Sequence, residues 1–135
     1  MRVVFDTNVL VAAFAAEGLC AGLVMRANRK QFELFLSSFI RREFENTLHG
    51  KFGLSPDELK SALVLLDETA KAFDPANRNI RVNGVLRDKS DHAVLEAALA
   101  CRAEFIVTGD HELLGLGEFR GIKIIAPREF ELLFE

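Results

Sequence analysis

Arg2-Val3-Val4-Phe5-Asp6-Thr7-Asn8-Val9-Leu10 decides how this chain is read. Arg2 to Phe5 is short, apolar and rich in β-branched and aromatic residues, the pattern of a buried strand. Asn8 to Ala16 reads as a hydrophobic helix broken by Gly18. Asp6 therefore stands at the carboxyl end of a first strand. In open α/β sheets, ligands bind beyond the carboxyl ends of the strands.

The pattern repeats outward from there. Leu19 to Arg29 predicts a helix with Leu19, Leu23, Val24 and Ala27 on one side. Glu33 to Ser37 predicts a strand. Ser38 can cap the next helix, which runs to about Leu48 and ends at Gly50. Ser55-Pro56-Asp57-Glu58 is a strong helix start, with a cap, proline at the first helical position and an acid three after the cap. That helix is expected to reach Phe73, where Asp74-Pro75 stops it. Ile80-Arg81-Val82 reads as a short edge strand, and a helix follows from Asp91 to about Arg102. Glu104 to Thr108 and Ile122 to Ala126 are further strands. Gly109-Asp110 starts a helical turn, and Pro127 opens a last helix to Phe134. Strands alternating with helices imply an α/β fold: one domain over residues 1–135, with a central, mostly parallel sheet of four or five strands covered by helices on both faces. No repeat, linker or low-complexity tract interrupts it.

The bulk numbers agree. Half of the 135 residues are hydrophobic and 27% are charged, which suits a folded domain and not a disordered one. Twelve Phe, with no Trp or Tyr, must fill much of the core. The longest apolar stretch, Val9 to Ala16, is too short to span a bilayer. The first residues run straight into a strand, so no signal peptide is expected, and a cytoplasmic location is. Cys20 and Cys101 lack zinc-ligand spacing. They read as buried reduced thiols, with a disulfide between them left open. The net charge of −3 argues against a stable nucleic-acid binder, and less against a nuclease whose carboxylates are neutralised by metal.

Three more acids occupy positions like that of Asp6. Glu43 falls at the edge of the apolar face formed by Ile40, Phe44, Thr47 and Leu48, where a carboxylate is costly unless paired or metal-bound. Arg41, Arg42 or solvent at the margin could also satisfy it. Asp91 opens a helix, where the dipole favours negative charge. Asp110 follows the strand run Phe105-Ile106-Val107-Thr108, and Asp6 and Asp110 could each simply cap a helix. Brought together, the four would make a pocket of like charge that is hard to maintain without cations. A metal-dependent reaction on a phosphate substrate is the resulting expectation.

Around these acids, Thr7, Asn8 and Thr108 offer a hydroxyl, an amide and a hydroxyl to orient a carboxylate or a metal-bound water; each is also ordinary at a helix start or in a strand. Asp88 can support the site, cap the helix or be a solvated loop residue. Glu96 reads as a surface salt-bridge partner. His49, His92 and His111 share no ligand spacing. No Gly-rich phosphate loop or nucleophile elbow occurs. Position 8 is Asn, so the Asp-x-Asp of haloacid-dehalogenase-like phosphatases is missing. Only one acid stands at the first strand, which disfavours a receiver domain.

Together these stretches resemble the PIN domain, a compact metal-dependent nuclease fold. The resemblance is carried by Val3-Val4-Phe5-Asp6-Thr7-Asn8-Val9-Leu10, Arg42-Glu43-Phe44, Asp88-Lys89-Ser90-Asp91 leading into Leu95-Glu96-Ala97-Ala98, and Val107-Thr108-Gly109-Asp110 with Leu113-Leu114. Each motif is short; their order and joint occurrence are the specific signal. The resemblance implies an acidic quartet of Asp6, Glu43, Asp91 and Asp110, with Asp91 taken over Asp88 as the third acid because it begins the helix. It implies one or two Mg²⁺ or Mn²⁺ ions and hydrolysis of RNA phosphodiesters. The nearest branch holds bacterial and archaeal toxins of toxin–antitoxin pairs, which implies a small antitoxin partner and often a homodimer. The competing expectation is a catalytically inactive PIN-like module that binds RNA or a protein.

Overall fold

The opening apolar run becomes the hub of the sheet. A computed structural model describes residues 1–75, 82, 86 and 89–135. Along these residues run β1 (Arg2–Phe5), α1 (Thr7–Ala15), α2 (Leu19–Asn28), β2 (Glu33–Ser37), α3 (Ser38–Gly50), α4 (Pro56–Thr69) and β3 (Lys71–Phe73). They continue with α5 (Lys89–Cys101), β4 (Phe105–Val107), α6 (His111–Leu116), β5 (Glu118–Phe119), β6 (Ile122–Ile125) and α7 (Pro127–Leu132). Among the described residues the six strands form one sheet in the order β3-β2-β1-β4-β6-β5. Every pairing is parallel except β5 with β6.

Side-chain alternation along β1 divides the core. Phe5 packs edge-on against Phe130 of α7, whose ring also meets Phe32 at 5.0 Å and Phe134 at 5.2 Å. On the opposite face, Arg2 Nη1 donates to the Cys101 carbonyl of α5, and α5 packs on β1, β2 and β4. Both faces are thus covered, and Val3, Val4 and Ile106 are fully buried. Such central parallel strands have to be apolar on both sides.

Several expectations need correction. α4 starts with the predicted capping box but ends at Thr69, before Phe73. Ala70 turns extended, and Lys71–Phe73 pairs with β2 instead. There Lys71 bonds Glu33 and Phe73 stands edge-on to Phe35, so tertiary pairing overrides local helix pattern. β5 is two residues long, too short to show any period. These two strands raise the count above the expected four or five. The expected strand Ile80-Arg81-Val82 lies outside the described residues apart from Val82. The cap of α3 is Ser37, whose Oγ accepts the Ile40 amide; Ser38 is already helical. Leu19 is 41% exposed and does not join Leu23, Val24 and Ala27 in the core. On α4, Leu66 is buried while Val64 is 48% exposed. Both cysteines are free, and Cys20 is only half-buried.

Among the described residues no single helix is long and apolar enough to cross a membrane; α1 and α2 meet at 98° across Gly18, whose φ of 147° favours glycine.

Candidate active site

From β1 the chain builds outward to β2 and β3, then crosses back to lay β4 on the other side of β1. The order reverses between β1 and β4, and the crevice beyond their carboxyl ends is the expected ligand site of such a sheet. Asp6 follows β1 there and Asp110 caps the helix after β4. Glu43 comes from the middle of α3 and Asp91 from the first turn of α5. A cleft of about 220 Å³ is lined by Asp6, Thr7, Asn8, Glu43, Thr47, Ser90, Asp91 and Asp110. All four predicted acids are in it, as are Thr7 and Asn8. Asp88 lies outside the described residues.

Each acid is held differently. Asp6 is buried and makes no side-chain cap bond to α1; its Oδ2 instead accepts the Thr108 hydroxyl at 2.8 Å. Capping is therefore not its role. Thr108 is itself fully buried and its Oγ also accepts the Asp110 amide at 3.0 Å, tying the two strand ends together. Asp110 does cap: its Oδ2 accepts the Leu113 amide at 3.0 Å while the carboxylate lines the cleft. Glu43 accepts the Thr7 hydroxyl at 2.8 Å on Oε1 and the Ser90 hydroxyl at 2.9 Å on Oε2. Its basic neighbour Arg41 is committed to Asp67 and Glu45. Among the described residues no basic side chain forms an ion pair with Glu43, Asp6 or Asp110. Asp91 is buried although charged by nature.

The electrostatics follow from this crowding. Burial raises the Asp6 carboxyl above its ordinary 3.8; the Thr108 hydroxyl and the Thr7 amide pull it back, and the charges of Asp110 and Glu43 push it further up. Neutral hydroxyls orient these carboxylates without cancelling their charge. The donor set is all oxygen with one amide, which suits hard divalent cations. Among the described residues no three acidic, histidine or cysteine side chains converge into a ready-made metal cage.

Sequence reasoning misses Ser90 and Thr47. Ser90 sits directly before Asp91, but a hydroxyl beside an acid at a helix start has no signature of its own. Thr47, one turn after Glu43, reads in the sequence as part of the apolar stripe. Other expectations change. Glu96 forms no ion pair among the described residues; its Oε2 accepts the Val82 amide at 3.3 Å. His92 accepts the Leu86 amide on Nε2, and His49 and His111 are exposed. None of the three lines the cleft.

A family model described as the PIN domain matches residues 2–112. No curated protein matches this chain. Among solved structures, it is similar to the crystal structure of VapBC2 from Rickettsia felis bound to a DNA fragment from their promoter, with a TM-score of 0.64 at 12% identity, covering 93% of this chain and 98% of that one. At that identity the likeness speaks for the fold alone. The family match runs from β1 into α6 and takes in Asp6, Glu43, Asp91 and Asp110. The chain belongs to the PIN domain family.

Proposed function

We propose that this protein is a metal-dependent endoribonuclease and the toxin component of a toxin–antitoxin pair. The observation that carries the reading is the meeting of four acids from four separate elements in one cleft, with Asp6 and Glu43 held by hydroxyls and Asp110 by a backbone amide. At Asp6, Glu43 and Asp110 a structural ion-pair network would bring in Arg or Lys, and among the described residues none pairs with them. PIN domains are generally nucleases. The toxin role rests on the motifs of that branch and agrees with the likeness to VapBC2. A small antitoxin and a second copy of the chain are the protein partners that go with it.

Asp6 and Asp110 are the proposed direct ligands of Mg²⁺ or Mn²⁺. Glu43 and Asp91 would complete the shell or hold metal-bound water. A bound ion or pair of ions supplies an activated water and neutralises charge on the phosphodiester. The chain's own contribution is to fix the carboxylates: Thr108 holds Asp6, Thr7 and Ser90 hold Glu43, and the α6 amide of Leu113 holds Asp110. Asn8 is exposed at the rim, where its amide can meet the strand.

The test is cleavage of a mixed RNA pool with titrated Mg²⁺ or Mn²⁺, alongside calorimetry of metal binding. Asp6→Asn is expected to reduce cleavage by about 100-fold or more with the fold intact. Full activity in that variant, with contaminating nuclease excluded, refutes the reading. Metal binding without cleavage of any RNA favours the inactive binding module.

A further inference from the structure

The opposite end of the sheet carries a second concentration of charge, of the other sign. Arg2 begins β1, Arg102 precedes β4 and Arg120 precedes β6, so all three stand at the amino ends of parallel strands. Roughly 13 Å of strand separates them from Asp6. Two hollows adjoin there. One, of about 400 Å³, is lined by Arg2, Phe35, Phe73, Ala100, Cys101 and Arg102; it runs from the amino end along the sheet face to Phe73, which pairs with Ser37, and the Arg2 guanidinium lies 5.6 Å from the Phe35 ring centre. The other, of about 280 Å³, is lined by residues that include Arg102, Arg120 and Ile122. Arg102 is common to both. The larger falls within the usual size of small-ligand sites, about 300–1,000 Å³.

The backbone at this end is unusual. Arg102 has φ 57° and completes a Schellman turn after α5, with its amide on the Leu99 carbonyl and the Ala103 amide on Ala98. Glycine normally takes that position. Arg120 has φ 49° and Gly121 φ 87°, the paired left-handed residues of a tight hairpin turn, where asparagine usually comes first. Two positions that favour Gly or Asn carry Arg instead. A cation near a helix carboxyl end has an ordinary explanation in the helix dipole. Arg2 already serves it by bonding the Cys101 carbonyl, and Arg120 follows no helix. Among the described residues none of the three forms an ion pair. Of the acids at this end, Glu33 pairs with Lys71 and Glu104 accepts the Arg2 amide, while Glu118 stands opposite Lys123 in the hairpin.

We infer that this end of the sheet is a second contact for single-stranded RNA, in which Arg2, Arg102 and Arg120 hold phosphates and the hollow beside Phe35 and Phe73 receives an unstacked base. Arginine beside aromatic rings is the chemistry that binds single strands without reading their sequence. The inference rests on the ribonuclease reading for its choice of RNA: a strand bound here is kept near a cleft that, without metal, repels it. An acidic peptide is the competing occupant, but the aromatic hollow gives a base a place that a carboxylate chain does not need.

The test measures fluorescence anisotropy of a labelled oligouridylate against the full chain in chelator, at several salt concentrations. Arg102→Gly with Arg120→Asn is expected to weaken binding several-fold and to reduce the salt slope by about 1.4, because two phosphates are no longer neutralised. Both replacements suit the left-handed backbone, so the melting temperature should hold or rise. Arg102→Lys with Arg120→Lys should restore most of the slope. Unchanged affinity and slope in the first variant overturn the inference, and so does a polyglutamate peptide that binds as tightly as the RNA. Cleavage in Mg²⁺ is scored separately. If the parent cuts RNA and the first variant binds it undiminished, this inference alone fails. If binding depends on the arginines and nothing is cut, the nuclease reading fails and the contact stands.

Discussion

Thr108 Oγ1 donates to Asp6 Oδ2 at 2.8 Å, across the seam where β1 and β4 pair. The same oxygen accepts the Asp110 amide. One neutral side chain, fully buried, therefore sets the position of two acids that lie far apart in the chain.

Thr108→Val keeps the shape and removes that hydroxyl. It leaves a buried carboxylate without its donor and an amide without its acceptor. The expected cost is about 1–3 kcal/mol in denaturant unfolding, with cleavage reduced at least as strongly as in a Ser90→Ala variant. A Val variant of parental stability would show that water replaces the hydroxyl and that the link is dispensable.

Asp6 makes the stability depend on pH in a definite direction. Its folded carboxyl is raised, chiefly by burial, so its contribution is fully present below about 3.8 and is lost as pH rises through the folded value. In chelator, Asp6→Asn should melt higher than the parent at neutral pH. The gain should shrink towards zero as the pH falls to about 3.5. Thermal melts across that range decide it, and a variant that melts lower at neutral pH contradicts the sign.

Glu43 should distinguish charge from hydrogen bonding. Glu43→Gln removes the charge but keeps groups that can bond Thr7 and Ser90, so in chelator its melting temperature should equal or exceed the parent's. Glu43→Ala removes the carboxylate that both hydroxyls bond and should lose about 1–2 kcal/mol. Equal losses in the two variants would mean that repulsion in the cleft is negligible.

Asp110 serves as a helix cap and lines the cleft, and these roles separate by substitution. Asparagine caps as well as aspartate and lacks the charge that repels Asp6, so Asp110→Asn should be at least as stable as the parent in chelator, while Asp110→Ala loses the cap, worth about 1 kcal/mol. Mg²⁺ at about 100 times its dissociation constant should stabilise the parent by about 2.7 kcal/mol. Asp110→Asn should forfeit most of that gain. If Mg²⁺ stabilises parent and variant alike, Asp110 is a cap and no ligand.

The chain's own order carries much of this. The β1 run, the capping box at Ser55 and the alternation of strand and helix are legible because apolar period and cap chemistry are local properties. So are Asp6, Glu43, Asp91 and Asp110, each marked by its place at an element end or on the margin of an apolar stripe. Tertiary structure alone decides what each acid touches. Asp6 is as readable as a cap as Asp110 is, and only the pairing of β1 with β4 brings Thr108 to it. Ser90 gains its role where α5 meets α3, and Lys71–Phe73 becomes a strand because β2 offers an open edge. Local pattern fixes which way a residue tends to fold, whereas its partners come from residues distant in sequence, whose approach depends on the whole packed sheet.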